Sequence, residues 1–258
     1  MSRPKKDMKV SVLIATKDCK ETLKATLDSI QGLHSELLVS DEISKDGTVE
    51  LIKSHKGRIF LSKETNLGKR KQFLVNKASG DWLLILDSDE SISTELYKEL
   101  KKMQKVPADN VIAYRINFLN YFLSKPLYHG GENYSKIRLF KRGSEYITSE
   151  SIHEEVIIKD GKVEALKGYI IHHSYRSIRQ VFEKFTKYAF LQSEEMKKSG
   201  ERVSFKKLGL YGPHMFWARF IKEKGYKDGF AGFILAMAFA YMEALTYWLL
   251  LLKRLRLV

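Results

Sequence analysis

Two acidic clusters carry the first chemistry in this chain, Asp41–Glu42 and Asp87–Ser88–Asp89–Glu90. The second follows Leu83–Leu86, four apolar residues of buried-strand character. Carboxylates set so close repel one another, and each costs free energy to desolvate. A cation is therefore expected among them. Asp-x-Asp places two hard oxygen donors on one turn, a set suited to Mg²⁺ or Mn²⁺, which can also hold a diphosphate. A solvated loop with helix-capping aspartates is the other reading of so short a signal. The basic run Lys69, Arg70 and Lys71 opens an expected helix, where phosphate is favoured. The same run reads equally as a solvated helix face. There is no G-x-G-x-x-G and no P-loop, so a dinucleotide fold and a Walker NTPase lack support.

The elements that must position these groups alternate through the first hundred residues. Val10–Ala15, Glu36–Ser40, "RIFL" and "DWLLIL" read as strands of buried length. Between them, "ETLKATLDSI", "VELIKSH", "NLGKRKQFLVNKA" and "STELYKELKKMQK" read as helices, the last capped by Ser93 or Thr94. This rhythm predicts a mostly parallel sheet with flanking helices, and both acidic clusters fall at carboxyl ends of strands, where open sheets bind ligands. Beyond Pro107 the pattern changes. Val111–Phe118, Lys136–Phe140, Val156–Ile158 and Tyr169–Ile171 read as strands, and three helices follow, Ser177–Ser199, Phe205–Glu223 and Lys227 to the end.

The 258 residues suffice for one large domain or a domain with an appendage. The start has an apolar run of six residues, of strand rather than signal-peptide length, and a cytosolic protein is expected. One cysteine, Cys19, excludes a disulfide framework and a cysteine-rich zinc site. Of the net charge of +14, residues 176–258 supply +9, from 16 basic and 7 acidic side chains. That imbalance points to a polyanionic surface, nucleic acid or an anionic membrane. Phe230–Leu252 has Glu243 as its only charge and precedes "KRLR". It could span a membrane, lie in the interface, or pack on its own domain.

In order along the chain, "VSVLIATKDCKETLKATLDSI", "LLVSDEISKDGTVEL" and "NLGKRKQFLVNKASGDWLLILDSDE" resemble the N-terminal half of the inverting family-2 nucleotide-sugar glycosyltransferases. "YRINFLNYFLSKPLYHGG", "KIRLFKRG", "IHEEV", "IHHSY" and the closing "KDGFAGFILAMAFAYMEAL" are similar to the subgroup that builds the lipopolysaccharide or lipooligosaccharide inner core.

The resemblance implies an α/β GT-A fold over 1–175, with a nucleotide-sugar half at 1–105 and an acceptor half at 106–175. Residues 176–258 form a helical extension. It implies a nucleotide-diphospho-sugar donor, UDP first among candidates, and transfer of a hexose such as glucose or galactose. Thr16, Asp18, Asp41, Lys69 and Asp87 would line the donor pocket. Asp87 and Asp89, completed by His172, would hold Mg²⁺ or Mn²⁺. Glu154 matches the family's His-Glu and would be the catalytic base, since inversion needs a group that takes the acceptor hydroxyl's proton. His153 could orient it, and His129 could meet the acceptor. Here Ala15 replaces the usual Pro before Thr16, Asp18 the usual Asn, and Glu42 the usual Asp or Ser.

The implied acceptor is a lipid-linked glycan, and the implied location is the cytoplasmic face of the inner membrane, held peripherally through its anionic surface. A polyprenyl phosphate or another cell-envelope polysaccharide is the alternative acceptor. A non-catalytic basic membrane adapter is the alternative of another class. Nucleic acid is not expected, because the basic third alternates with long apolar stretches and forms no stacking platform.

Overall fold

The computed structural model describes residues 8–105, 110–148 and 155–256. They divide into two compact units, one within Met1–Phe118 and Ser135–His172, the other within Leu119–Tyr134 and His173–Val258. The division differs from the sequence boundary at 175 by grouping Leu119–Tyr134 with the helical tail.

The first unit begins with the expected alternation. β1 (Val10–Thr16), β2 (Glu36–Asp41), β3 (Arg58–Leu61) and β4 (Trp82–Asp87) alternate with α1 (Lys20–Ser29), α2 (Thr48–Ser54) and α3 (Leu67–Lys77). β1 is buried at every position, as a central parallel strand covered on both faces must be. After β4 come β5 (Glu90–Ile92) and α4 (Thr94–Lys105), then β6 (Val111–Phe122), β7 (Lys125–Pro126), β8 (Ser135–Lys141), β9 (Glu145–Ile147), β10 (Val156–Ile158) and β11 (Lys162–Tyr175). Ser93 caps α4, its hydroxyl accepting from the Leu96 amide at 3.1 Å.

The sheet order is β3-β2-β1-β4-β8-β6-β11-β5. β3, β2, β1 and β4 pair in parallel. β8 pairs antiparallel with β4 and with β6, and β5 pairs antiparallel with β11. The expectation of a mostly parallel sheet therefore holds for one half, and the sheet is mixed. The physical reason is connection type: helical crossovers join consecutive parallel neighbours before β4, whereas beyond it β4 pairs with β8 and β5 with β11, strands distant in sequence that no single helical crossover joins. One core cluster, with Leu13, Leu38, Leu74, Leu83, Ile85 and Phe140, packs α3 on this sheet.

Glu36 ties the amino end of β2 to the link before β4. Its carboxylate accepts from the Ser11 hydroxyl, from the Ser79 amide at 2.6 Å and from the Gly80 amide at 3.2 Å. Burial works to raise its pKa, but these donors outweigh burial and hold it below the ordinary 4.5. A carboxyl depressed in the folded state stabilises above its unfolded pKa and loses that contribution as pH falls through the folded value. Glu36→Gln is expected to cost about 1–2 kcal/mol at neutral pH, with part of the bond strength screened by solvent. The gap between wild type and variant should narrow below about pH 4 in urea titrations, because protonation removes the charge that the variant lacks.

In the second unit, β7 pairs with the C-terminal end of β6. α5 (Ile178–Lys198), α6 (Phe205–Trp217) and α7 (Gly229–Arg254) follow, with a π turn at Ala218–Lys222 and a 3-10 turn at Gly225–Asp228. α7 packs along both α5 and α6. Phe122, Tyr175, Val181, Phe185, Leu235 and Ala238 form the core. Gly225–Arg254 is long and apolar enough to cross a membrane by length and composition. Within its unit, α7 is also the helix around which the core is built. Lys253, at its basic end, is buried, bonded to the Phe190 carbonyl at 3.2 Å and paired with Glu194 at 3.1 Å.

Candidate active site

The acidic turn after β4 has its countercharge inside the chain. Lys71 Nζ lies 2.5 Å from Asp87 Oδ1. Arg138 reaches Asp87 Oδ2 at 2.9 Å and Glu90 Oε1 at 2.6 Å. His172 Nε2 stands 3.3 Å from Asp89 Oδ2. Three acids thus meet three bases drawn from α3, β8 and β11. Burial works to raise Asp87, but the charges of Lys71 and Arg138 outweigh it and hold the carboxyl well below the usual range. Burial pushes Glu90 up to about 7, with Arg138 pulling down and Asp87 pushing up. Burial works to lower His172, but the bond to Asp89 and the surrounding acids hold it above its ordinary value.

Each partner is delivered by a local device. β5 pairs with β11 so that Glu90 lies opposite His172. β11 can run close to α4 because Gly168 has no Cβ, which would stand 2.3 Å from the Leu96 nitrogen. Phe118 sits under both bases, its ring 5.3 Å from the Arg138 guanidinium and 6.2 Å from the His172 ring. Glu90 also accepts from the Asp87 amide at 2.9 Å, which fixes the turn.

At the ends of β1 and β2, Asp41 is fully buried and accepts from the Thr16 hydroxyl at 2.7 Å and from the Ser44 amide and hydroxyl at 2.7 and 2.6 Å. Asp18 adopts a left-handed conformation (φ 42°), tolerable for aspartate, and its carboxylate accepts from the Lys45 amide at 2.8 Å. The basic run of α3 splits three ways. Lys69 is exposed, 3.6 Å from Glu64. Arg70 is buried against the Thr16 and Ser40 carbonyls and pairs with Glu42 at 3.3 Å. Lys71 goes to Asp87. Thr16, Asp18 and Asp41 therefore gather at the ends of β1 and β2, and Asp87 ends the neighbouring β4, in register with Ala15, with Asp89 and His172 following it. Glu154 and His153 lie outside the described residues. His129, in the second unit, is held by Asp228, with Nδ1 2.9 Å from Oδ1.

Sequence reading placed Glu90 in this cluster but missed Lys71 and Arg138 as the cations that pair within it. A signal for Lys71 was present: it shares a helical face with Leu74, Val75 and Ala78, the buried stripe of α3. Among the described residues no group of three or more His, Cys, Asp or Glu side chains is arranged to hold a metal. Asp89 and His172 supply one oxygen and one nitrogen donor, while Asp87 is engaged by two cations. One or two carboxylates plus substrate phosphates is how Mg²⁺ is usually taken up, so the donor set fits such an ion arriving with its ligand.

Residues 11–154 match the family described as glycosyl transferase family 2. An uncharacterised glycosyltransferase of Rickettsia prowazekii is 26% identical over 249 residues, covering 92% of this chain and 85% of its own. LpsC of Rhizobium meliloti, named a lipopolysaccharide core biosynthesis glycosyltransferase, is 26% identical over 222 residues, covering 82% and 81%. Among solved structures, S. aureus TarS 1–349 aligns over 96% of this chain and 92% of its own at 14% identity and a TM-score of 0.46. The Pyrobaculum calidifontis mannosyltransferase PcManGT, in complex with GDP-Man and Mn²⁺, aligns over 98% and 76% at 11% identity and a TM-score of 0.48. The family match takes in more than half of the chain, and it runs through the strands that end at Thr16, Asp41 and Asp87 and the turn that carries Asp89. The chain therefore belongs to glycosyltransferase family 2, as a glycosyltransferase of the α/β GT-A fold.

Proposed function

We propose that the chain is an inverting hexosyltransferase that moves glucose or galactose from a nucleotide-diphospho-sugar, UDP in the first instance, to a lipid-linked glycan of the lipooligosaccharide inner-core type. The observation that carries this reading is the acidic turn Asp87–Glu90, built at a strand end and balanced by Lys71, Arg138 and His172. The similarity to LpsC over most of both chains supports the acceptor class. Work at the cytoplasmic face of the inner membrane follows from such an acceptor, and the excess of basic residues in 176–258 suits an anionic surface.

In this reading Thr16, Asp18, Asp41 and Lys69 bind the nucleotide and its phosphates. A Mg²⁺ or Mn²⁺ held by Asp89 and His172, beside Asp87, would neutralise charge on the leaving diphosphate as a Lewis acid. Glu154 takes the proton from the acceptor hydroxyl. The hydroxyl oxygen then forms a bond to the anomeric carbon from the face opposite the departing phosphate oxygen, and the configuration inverts. Arg138 and Lys71 keep Asp87 ionised and the turn fixed, so the site is ordered before the donor arrives.

The test is a screen of UDP-, GDP- and dTDP-sugars with and without Mg²⁺ or Mn²⁺, read by thermal shift and donor hydrolysis. One nucleotide sugar at a hundredfold excess over its Kd should add about 2.7 kcal/mol, roughly 5–10 °C in Tm for a domain of this size. No shift with any donor under any ionic condition would refute the reading.

A further inference from the structure

The second unit carries an aromatic edge that its own packing does not cover. Trp217 closes α6, Ile221 lies in the π turn, Tyr226 in the 3-10 turn and Phe230 in the first turn of α7, and each is between 47% and 65% exposed. Behind them Phe233 meets Phe216 and Phe220 at ring distances of 5.9 and 5.8 Å, and Phe220 meets Tyr226 at 6.3 Å. The inward groups of the same two turns are already engaged. Arg219 bonds the Gly130 carbonyl and pairs with Glu132 at 3.0 Å. The Asp228 carboxylate accepts from the Tyr128 and His129 amides at 3.1 and 2.8 Å. Gly232 lets the 3-10 turn lie on α7, since a Cβ there would collide with the Gly225 carbonyl. The edge is thus fixed by its own unit, with its apolar side chains turned out, and an exposed apolar patch rimmed by polar residues marks an interaction surface. Lys222, Lys224 and Lys227 are exposed among them, against one exposed acid, Glu223.

We propose that this edge seats in an anionic bilayer, with Trp217, Ile221, Tyr226 and Phe230 entering the boundary between headgroups and acyl chains and the three lysines meeting lipid phosphates. Tryptophan and tyrosine favour the membrane–water interface, and an apolar face bordered by lysine is how helices bind in its plane. A protein partner is the poorer match, because lysine is depleted from protein–protein interfaces. The contact is made from the surface. A span would put into lipid the face by which α7 packs on α5 and α6, and would draw Lys253 away from Glu194. The proposal deepens the reading of a membrane-surface acceptor and rests on it only for the transfer measurement below. Net charge spread over residues 176–258 would hold the chain loosely and lose its grip as salt rises, whereas the edge adds an apolar contact at one place that salt does not screen.

The test sediments the full-length protein with vesicles of phosphatidylcholine alone and of phosphatidylglycerol and phosphatidylcholine in equal parts. Wild type should bind the anionic vesicles, and part of that binding should persist at about 0.5 M salt. Trp217→Ser/Phe230→Ser should bind about tenfold or more weakly at either salt, since each large apolar side chain taken out of water is worth at least about that factor. Lys222→Gln/Lys227→Gln should instead lose the preference for anionic vesicles. Trp217→Phe/Phe230→Trp should bind as wild type does, and equal melts guard against a folding defect. With a lipid-linked acceptor in anionic vesicles, Trp217→Ser/Phe230→Ser should raise the acceptor KM about tenfold and leave donor hydrolysis unchanged. Equal vesicle binding by wild type and Trp217→Ser/Phe230→Ser overturns the proposal. So does binding that about 0.5 M salt abolishes entirely, which marks attraction by charge alone. Wild type that resists extraction from membranes by alkaline carbonate overturns it in favour of a spanning helix. A vesicle-free dimer that the same variant dissolves overturns it in favour of a second copy of the chain. Failure of every nucleotide sugar to bind refutes the transferase reading alone, because the vesicle measurement uses no donor.

Discussion

Asp89→Ala is expected to abolish sugar transfer while leaving the protein folded. Its carboxylate is partly exposed and pairs with His172 at 3.3 Å. If Asp89 provides the oxygen ligand that brings a divalent ion to the leaving diphosphate, its loss removes several kcal/mol of transition-state stabilisation, about 10²–10⁴-fold in kcat. The variant should also lose any metal-dependent rise in Tm with donor. Asp87→Ala is a different experiment. It removes a counterion from Lys71, which is buried, and one of the two carboxylates that Arg138 holds, Glu90 being the other. Breaking a buried pair by removing one partner costs about 3–5 kcal/mol, so this variant should lose stability together with activity. Circular dichroism melts beside single-turnover rates separate the two. Transfer at wild-type rate by Asp89→Ala would rule out its role.

Glu154→Gln should give the second large loss, with a different signature. An amide keeps the shape of the side chain and cannot accept the proton, so kcat should fall by about 10²–10⁴-fold. Donor binding and the donor-induced Tm shift should be unchanged, because the base acts on the acceptor. Glu155→Gln serves as the comparison. Glu155 is exposed, its amide donating to the Thr148 hydroxyl at 2.9 Å, and its loss should alter transfer little. A silent Glu154→Gln would point instead to an acceptor already ionised, such as a polyprenyl phosphate, which needs no base.

Much of the framework was legible because it is carried by local pattern. Apolar runs of strand length and helices with one apolar stripe placed β1 to β4 and α1 to α4 in order, and with them both acidic clusters. β10 was read with its observed limits, Val156–Ile158. β5 was not read: three residues, Glu-Ser-Ile, are too few to show alternation, and the strand exists because β11 pairs with it. β11 itself was seen as three residues of fourteen, since lysines and Gly168 interrupt its apolar signal. The cation expected beside Asp87 was sought outside the chain. Part of it lies inside, sixteen residues upstream at Lys71 and fifty-one downstream at Arg138. Neither pairing could be read locally: one depends on a lysine turned to the buried face of α3, the other on a bulge in β8, and both on topology.

That internal pairing has a consequence for the protein in a cell short of trace elements. Many small proteins come apart when a chelator strips their ions, because the ion is what keeps like charges from pushing a loop open. Here a lysine, an arginine and a histidine already do that duty, so if transfer runs on a divalent ion as proposed, scarcity should idle the catalyst without dismantling it, and a stock of intact molecules would resume work once supply returned.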